Sequence, residues 1–262
     1  MRGAMDITPQ GLLFAAIFLV ALLLLVWLKG GKKILMKSAV SMLRMTVQLS
    51  LVGIYLTWMF KINNAWLNIG WIVVMIAAAN LAILNHSGLN RRLFPAIFMA
   101  LAITILVVLS WFMVFVFTPD NPTDARLLIP IAGMLLGNSM NRTIVTTERF
   151  YSSILQNEDT FAVSLAMGAT VREAAFPFFR ESYRAGLAPV LANYAAMGLV
   201  SIPGMMTGAI LGGSSPSVAV KYQIVIVVAI FAATEIATLL SILFILSKAF
   251  LKNGMPNRDM FS

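Results

Sequence analysis

Gly11–Leu28, GLLFAAIFLVALLLLVWL, carries no charged or amide side chain. A run of this kind is about the length that crosses the hydrocarbon core of a bilayer as a helix, and longer than most buried core segments. The sequence that follows, KGGKKILMK, places Lys29, Lys32, Lys33 and Lys37 directly after the apolar run. A secretory signal has its positive charge before the apolar stretch and a small-residue cleavage site after it; here the charge cluster follows the stretch and no such cleavage site is evident, so it reads as a retained helix.

The rest of the chain repeats the theme. Of its residues, 60% are hydrophobic and 11% charged, with a mean hydropathy of +0.90. A water-soluble domain of this length could not bury that much apolar side chain. The fold class is therefore an all-α integral membrane protein. Seven spans are expected, near 11–28, 38–60, 66–84, 95–117, 127–147, 187–211 and 218–247. Short cytoplasmic loops collect Lys and Arg. With the N-terminus outside and the C-terminus in the cytoplasm, Lys29 to Lys37, Arg91, Arg92, Arg142, Arg149, Arg172, Arg180, Arg184, Lys248, Lys252 and Arg258 fall inside, against Arg2, Lys61, Arg126 and Lys221 outside. The net charge of +9 then reflects topology and membrane lipid, not nucleic acid.

Absences narrow the function. There are no cysteines, hence no disulfide or thiolate metal site, and the lone His86 cannot build a metal centre unaided. The chain has no phosphate loop, dinucleotide fingerprint, zinc-protease motif or nucleophile elbow. Transport, conduction or scaffolding fits better than enzymatic catalysis.

One segment stands apart from the short loops. Residues 148–186 are mixed in charge and mostly helix-forming, interrupted at Gly168 and Pro177. A turn at Gly168, Ala169 and Thr170 is expected to precede a short helix starting near Val171. Thr170 and Glu173 have the S/T-x-x-E spacing of a capping box. From the residues alone, the segment is either an amphipathic helix on the membrane surface or a docking surface for a partner.

Within the spans, polar side chains are costly and therefore informative. Arg44 and Gln48 lie one turn apart in span two; Arg44 is near enough to the boundary to snorkel, and Gln48 is deeper. Asn138 and Asn193 need partners, either across helices or on a solute. Glu235 is the only carboxylate well inside a span. Gly133 and Gly137 in span five, and Gly204, Gly208 and Gly212 in span six, have the four-residue spacing that lets backbones approach, within the chain or between copies. Asn193, Met197, Ser201 and Met205 recur at the same interval, so span six reads as one helix bent at Pro203. Met205 and Met206 suit adaptable packing better than a metal site, because thioethers favour soft ions. The metal, if there is one, is not named by the sequence.

IPIAGMLLGNSM (Ile129–Met140), SLAMGAT (Ser164–Thr170), MGLVSIPGMMTGAILGG (Met197–Gly213), AVKYQIV (Ala219–Val225) and RMTVQLSLVG (Arg44–Gly53) resemble, in order, the FetB-type permeases of ABC transporters. These are bacterial iron exporters with plant relatives implicated in aluminium tolerance. The resemblance implies a permease subunit of the bacterial inner membrane, itself binding no cofactor. It implies a homodimer working with two cytoplasmic ATPase subunits that carry ATP and Mg. Gly168, Ala169, Thr170, Arg172 and Glu173 would contact the ATPase. The acidic residue usual in such loops, about six residues before the glycine, is replaced here by Ala162, with Glu158 and Asp159 further upstream. Gln48, Asn138, Met205, Met206, Glu235 and Arg44 are the expected pathway residues. The rival is a gradient-driven transporter or channel, which needs an ionisable relay along the spans. Only Glu235 and Arg44 offer one. A membrane scaffold would have no use for a kinked, glycine-striped span six.

Overall fold

A computed structural model describes residues 8–251 and 254–260, and Arg2 and Lys252 lie outside them. The described residues form eight α-helices and no β-strand. They are α1 (Pro9–Ile62), α2 (Ala65–Ser87), α3 (Phe94–Phe112), α4 (Ala125–Gln156), α5 (Glu158–Ala166), α6 (Val171–Ala196), α7 (Gly204–Leu211) and α8 (Pro216–Leu246). The end of α3 widens into one π-helical turn, Met113–Phe117.

Four of these are long and apolar enough to cross a membrane: α1, α2, the Arg91–Phe117 segment and α8. α4 falls outside that group because of its position. It is the central helix, packed against α2, α6 and α8, and its Ser139, Arg142, Thr143, Thr146 and Thr147 are buried. Polar groups at membrane depth belong on protein-facing surfaces, so the helix with most neighbours has a less apolar sequence than α1, α2, α3 or α8.

α1 contains both of the first two expected spans. At 1.5 Å per residue, its 54 residues would reach about 80 Å as a straight rod, far beyond the hydrocarbon thickness. The helix is interrupted at Gly31, whose φ of 74° and ψ of 174° are non-helical and cost glycine little. This break sits inside the Lys29–Lys33 cluster. α1 packs on the bundle only near its C-terminal end, where Tyr55, Leu56, Met59 and Phe60 meet Ala125, Ile129 and Trp71.

Span six is not one bent helix. α6 stops at Ala196, Gly198 takes a φ of 89°, and a new helix starts at Gly204 with Pro203 as its N-cap. The strict four-residue series from Asn193 to Met205 therefore does not form a continuous stripe. Proline has no N–H to give a preceding turn and fits the extended N-cap geometry, φ −60° and ψ 142°. The unwound residues recover hydrogen bonds locally, from Gly198 N–H to the Ser201 carbonyl at 2.8 Å and from Val200 N–H to the Ala196 carbonyl at 2.9 Å.

The segment expected to be a short helix after Gly168 is also different. α6 runs without interruption from Val171 to Ala196, through Pro177 and Pro189. The helix that begins at the turn is the same helix that enters the bundle.

Candidate functional site

The turn comes first in the chain. Gly168 has a φ of 94°, and a Cβ there would meet nothing within 4 Å. The demand for glycine is thus conformational, not steric. Thr170 then caps α6 as its spacing predicts. Its hydroxyl accepts from Glu173 N–H at 3.3 Å, while the Glu173 carboxylate accepts from Thr170 N–H at 2.8 Å and from its hydroxyl at 2.7 Å. The bond from the Thr170 backbone, followed by that from its hydroxyl, holds the Glu173 carboxyl below its ordinary range. A lowered carboxyl contributes stability above its unfolded pKa and loses it as pH falls through the folded value. Hydrogen exchange, corrected for intrinsic rates, should show the first turn of α6 opening only once pH falls below the ordinary glutamate range. In Glu173→Gln this acid step should disappear.

The same turn presents an exposed surface. Met167 is 84% and Phe176 60% exposed, flanked by exposed Arg172 and Glu173. Residues 249–251 and 254–260 brace it from the side. Phe250 packs on Phe161, and a Cβ on Gly254 would lie 3.2 Å from both Leu165 and Val171. Asn90 N–H donates to the Met260 carbonyl at 2.9 Å. Arg258 pairs with Glu158, so that carboxylate, one of the two upstream of Ala162, is engaged within the chain.

Further along α6 lies a charge cluster that the sequence did not assemble. The Arg142 guanidinium of α4 grips both carboxylate oxygens of Glu235 of α8, Nη1 to Oε1 and Nη2 to Oε2, the latter at 3.1 Å. Tyr183 of α6 donates its hydroxyl to Glu235 Oε2, and its ring lies 4.8 Å from the guanidinium carbon. The Arg142 side chain is 1% exposed and that of Glu235 16%. Arg142 was expected as a cytoplasmic loop charge; it is instead a buried partner, because Glu235 neutralises it. The backbone of α6 comes close here as well. A Cβ on Gly186 would run into the Thr146 hydroxyl, with Arg142 Cγ at 3.6 Å.

Beyond the cluster a cavity of about 300 Å³ opens. α4 contributes Met134 and Asn138, α6 contributes Asn193 and Tyr194, and α8 contributes Gln223 and Thr234. Met197 and Pro203, from the unwound segment, and Met205 of α7 close one side. A second cavity of about 440 Å³, lined by Met206 and Gly198, shares the walls Tyr194, Met197 and Gln223. Among the described residues, no charged side chain lines either cavity. The Gln223 carbonyl oxygen and the Tyr194 hydroxyl are buried with no hydrogen-bond partner among the described residues, whereas Asn138 donates to the Met134 carbonyl at 2.8 Å. The unwound segment borders both cavities, the setting in which non-helical backbone is tolerated in membrane proteins.

The expected pathway residues are therefore divided. Asn138, Met205 and Met206 reach the cavities, and Glu235 lies one residue past the lining Thr234, turned into its ion pair. Arg44 and Gln48 stand on the exposed part of α1, away from both cavities. Of the glycines, Gly133 has only the Met75 methyl within reach, at 3.2 Å. A Cβ on Gly137, Gly204 or Gly208 would meet nothing within 4 Å, and one on Gly212 only carbonyls of its own helix. The close approach inside the chain belongs to Gly186, an isolated glycine that spacing does not mark. Tyr194 and Gln223 were also missed; Gln223 in an apolar span was the available signal. No cluster of three or more His, Cys, Asp or Glu side chains suited to a metal occurs among the described residues.

These features, a helical bundle with several apolar spans around a cavity beside an interrupted helix, define a multi-pass membrane protein. Residues 10–250 match the model of the Uncharacterised protein family (UPF0014), and the chain belongs to that family. It is 33% identical over 199 residues to UPF0014 membrane protein slr1647 of Synechocystis, covering 75% of this chain and 76% of the relative. It is 32% identical over 240 residues to Protein ALUMINUM SENSITIVE 3 of Arabidopsis thaliana, covering 88% and 85%. Probable iron export permease protein FetB of Escherichia coli is 27% identical over 198 residues, covering 76% and 75%. No solved structure matches.

Proposed function

We propose that the chain is the membrane-spanning permease of an ABC transporter, exporting iron or another metal-linked solute with energy from ATP hydrolysed, with Mg, on a separate cytoplasmic subunit. The observation that carries this reading is the continuity of α6. One helix starts at the exposed, capped Gly168–Glu173 turn and ends at the cavity wall formed by Asn193 and Tyr194. A partner pushing on the turn would thereby move the cavity. Gly168, Ala169, Thr170, Arg172 and Glu173, with Met167 protruding beside them, make the docking surface.

The proposed topology is seven spans, N-terminus outside and C-terminus inside, with α1 folded back at Gly31 as two of them and α6 with α7 forming the interrupted sixth. Two permeases and two ATPases complete the pump. The open stripe of Gly204 and Gly208, and the uncovered length of α1 that carries Arg44 and Gln48 in its second span, would then face lipid or a second copy. The cavity lining of thioethers, amides and a phenol favours transient contact with a metal carried by its own ligands over tight capture of a bare hard ion. The relative named for iron export supports iron as the first solute to try.

The test is ATP-dependent movement of ferrous iron by the chain and its ATPase in proteoliposomes. Transport should need both subunits, and Gln223→Leu should slow it about tenfold, the effect of losing one to two polar contacts, without lowering the melting temperature. Failure of the ATPase to bind the Gly168→Val, Glu173→Ala double variant is the expected outcome for docking; undiminished binding would reject that surface.

A further inference from the structure

The geometry points to Tyr183 as the residue that couples the docking turn to the cavity, through its hydrogen bond to the Arg142–Glu235 pair. The inference rests on the ATP-driven reading above. α6 carries three groups in sequence: the cap at Thr170, the Tyr183 hydroxyl, and the cavity residues Asn193 and Tyr194. Between the cap and the cavity, the Tyr183 hydroxyl is the polar tie from α6 to the ion pair. The pair itself joins α4 to α8 without α6. α6 can therefore be released or re-engaged by making and breaking a single hydroxyl contact, with the pair of buried charges left intact.

The surroundings suit a contact that changes. Arg142 Nε and the Thr146 hydroxyl are buried without hydrogen-bond partners among the described residues, so polar capacity stands ready beside Tyr183. Gly186, one turn further along α6, allows that helix to lie directly on Thr146. A bulkier residue would hold the two backbones apart. Tyr183 is thus a positioning residue: it touches neither cavity, and acts by holding α6 to the two helices that supply the opposite cavity walls.

The chain has no cysteine, so a single introduced thiol is the only one this chain can label, and its signal is read on the permease after separation from the ATPase. Met205→Cys would be placed in the complex of permease and ATPase, and its labelling by a water-soluble maleimide measured with and without ATP and vanadate. In the otherwise unaltered chain, trapping should change the labelling rate at least fivefold. Adding Tyr183→Phe should reduce that change to less than twofold while hydrolysis continues and the melting temperature holds. A full nucleotide response with Tyr183→Phe would overturn the inference and leave the ATP-driven reading in place. A reporter that ignores nucleotide even with Tyr183 present would overturn both. Arg142→Lys keeps the charge pair but removes the flat cation over the ring; it should give a partial loss and decides the matter if Tyr183→Phe fails to assemble.

Discussion

Glu235→Ala should be among the most damaging single changes in the chain, costing about 3–5 kcal/mol, because it strands the Arg142 guanidinium in the bundle without its counter-ion. Arg142→Ala should cost a similar amount by leaving the carboxylate unpaired. The double variant Arg142→Met, Glu235→Leu is expected to regain most of the loss, since apolar side chains of similar volume need no compensation there. Thermal unfolding in detergent of the two singles and the double closes this cycle. A double variant no better than either single would show that the hydrogen bonds of Tyr183 outweigh the charge balance. The pair is thus distinguished from the exposed Arg258–Glu158 contact, whose loss should be nearly silent, because solvent screens an ion pair with one side chain 76% exposed.

The second large effect is expected at Gly186. A leucine there would drive its side chain into Thr146 and towards Arg142, and the shift forced on those packed side chains should cost about 1–3 kcal/mol. Gly208→Leu, where a Cβ meets nothing within the chain, should leave the monomer's unfolding unchanged. Its effect, if the glycine stripe serves a second copy, will appear only as loss of dimer by crosslinking or native mass measurement. The two glycines thus separate folding from assembly.

The helical membrane class was legible in Gly11–Leu28 and in the other apolar runs because hydrocarbon thickness imposes a length that few other structures need. The Thr170–Glu173 cap was legible because both partners lie within one turn. Arg142 was not, because counting positive charges by loop treats each as facing solvent, and its partner is 93 residues away. Span six misled for a different reason. The four-residue spacing of Asn193, Met197, Ser201 and Met205 runs on past Gly198 and Pro203, but periodicity does not register a residue at positive φ that stops the helix. Glycine spacing failed at Gly186 in the same way: what matters there is the Thr146 side chain on another helix, which no pattern within α6 records. The cavity drew its walls from α4, α6, α7 and α8, so single-span reasoning found Asn138, Met205 and Met206 but had no means of joining them to Gln223 and Tyr194.

The bracing of the Gly168–Glu173 turn by residues 249–251 and 254–260 has a kinetic meaning. Asn90 donates its side-chain amide to the Asp259 carbonyl across 169 residues of chain, and Arg258 reaches back 100 residues to Glu158. Contacts of such sequence separation close the largest loops and form late. The turn itself is local and can form as soon as α6 does, but its bracing must wait for the far end of the chain. On the ATP-driven reading, a chain whose last helices are not yet in place would offer its partner an unbraced surface, so the order of folding would delay engagement until the bundle is whole.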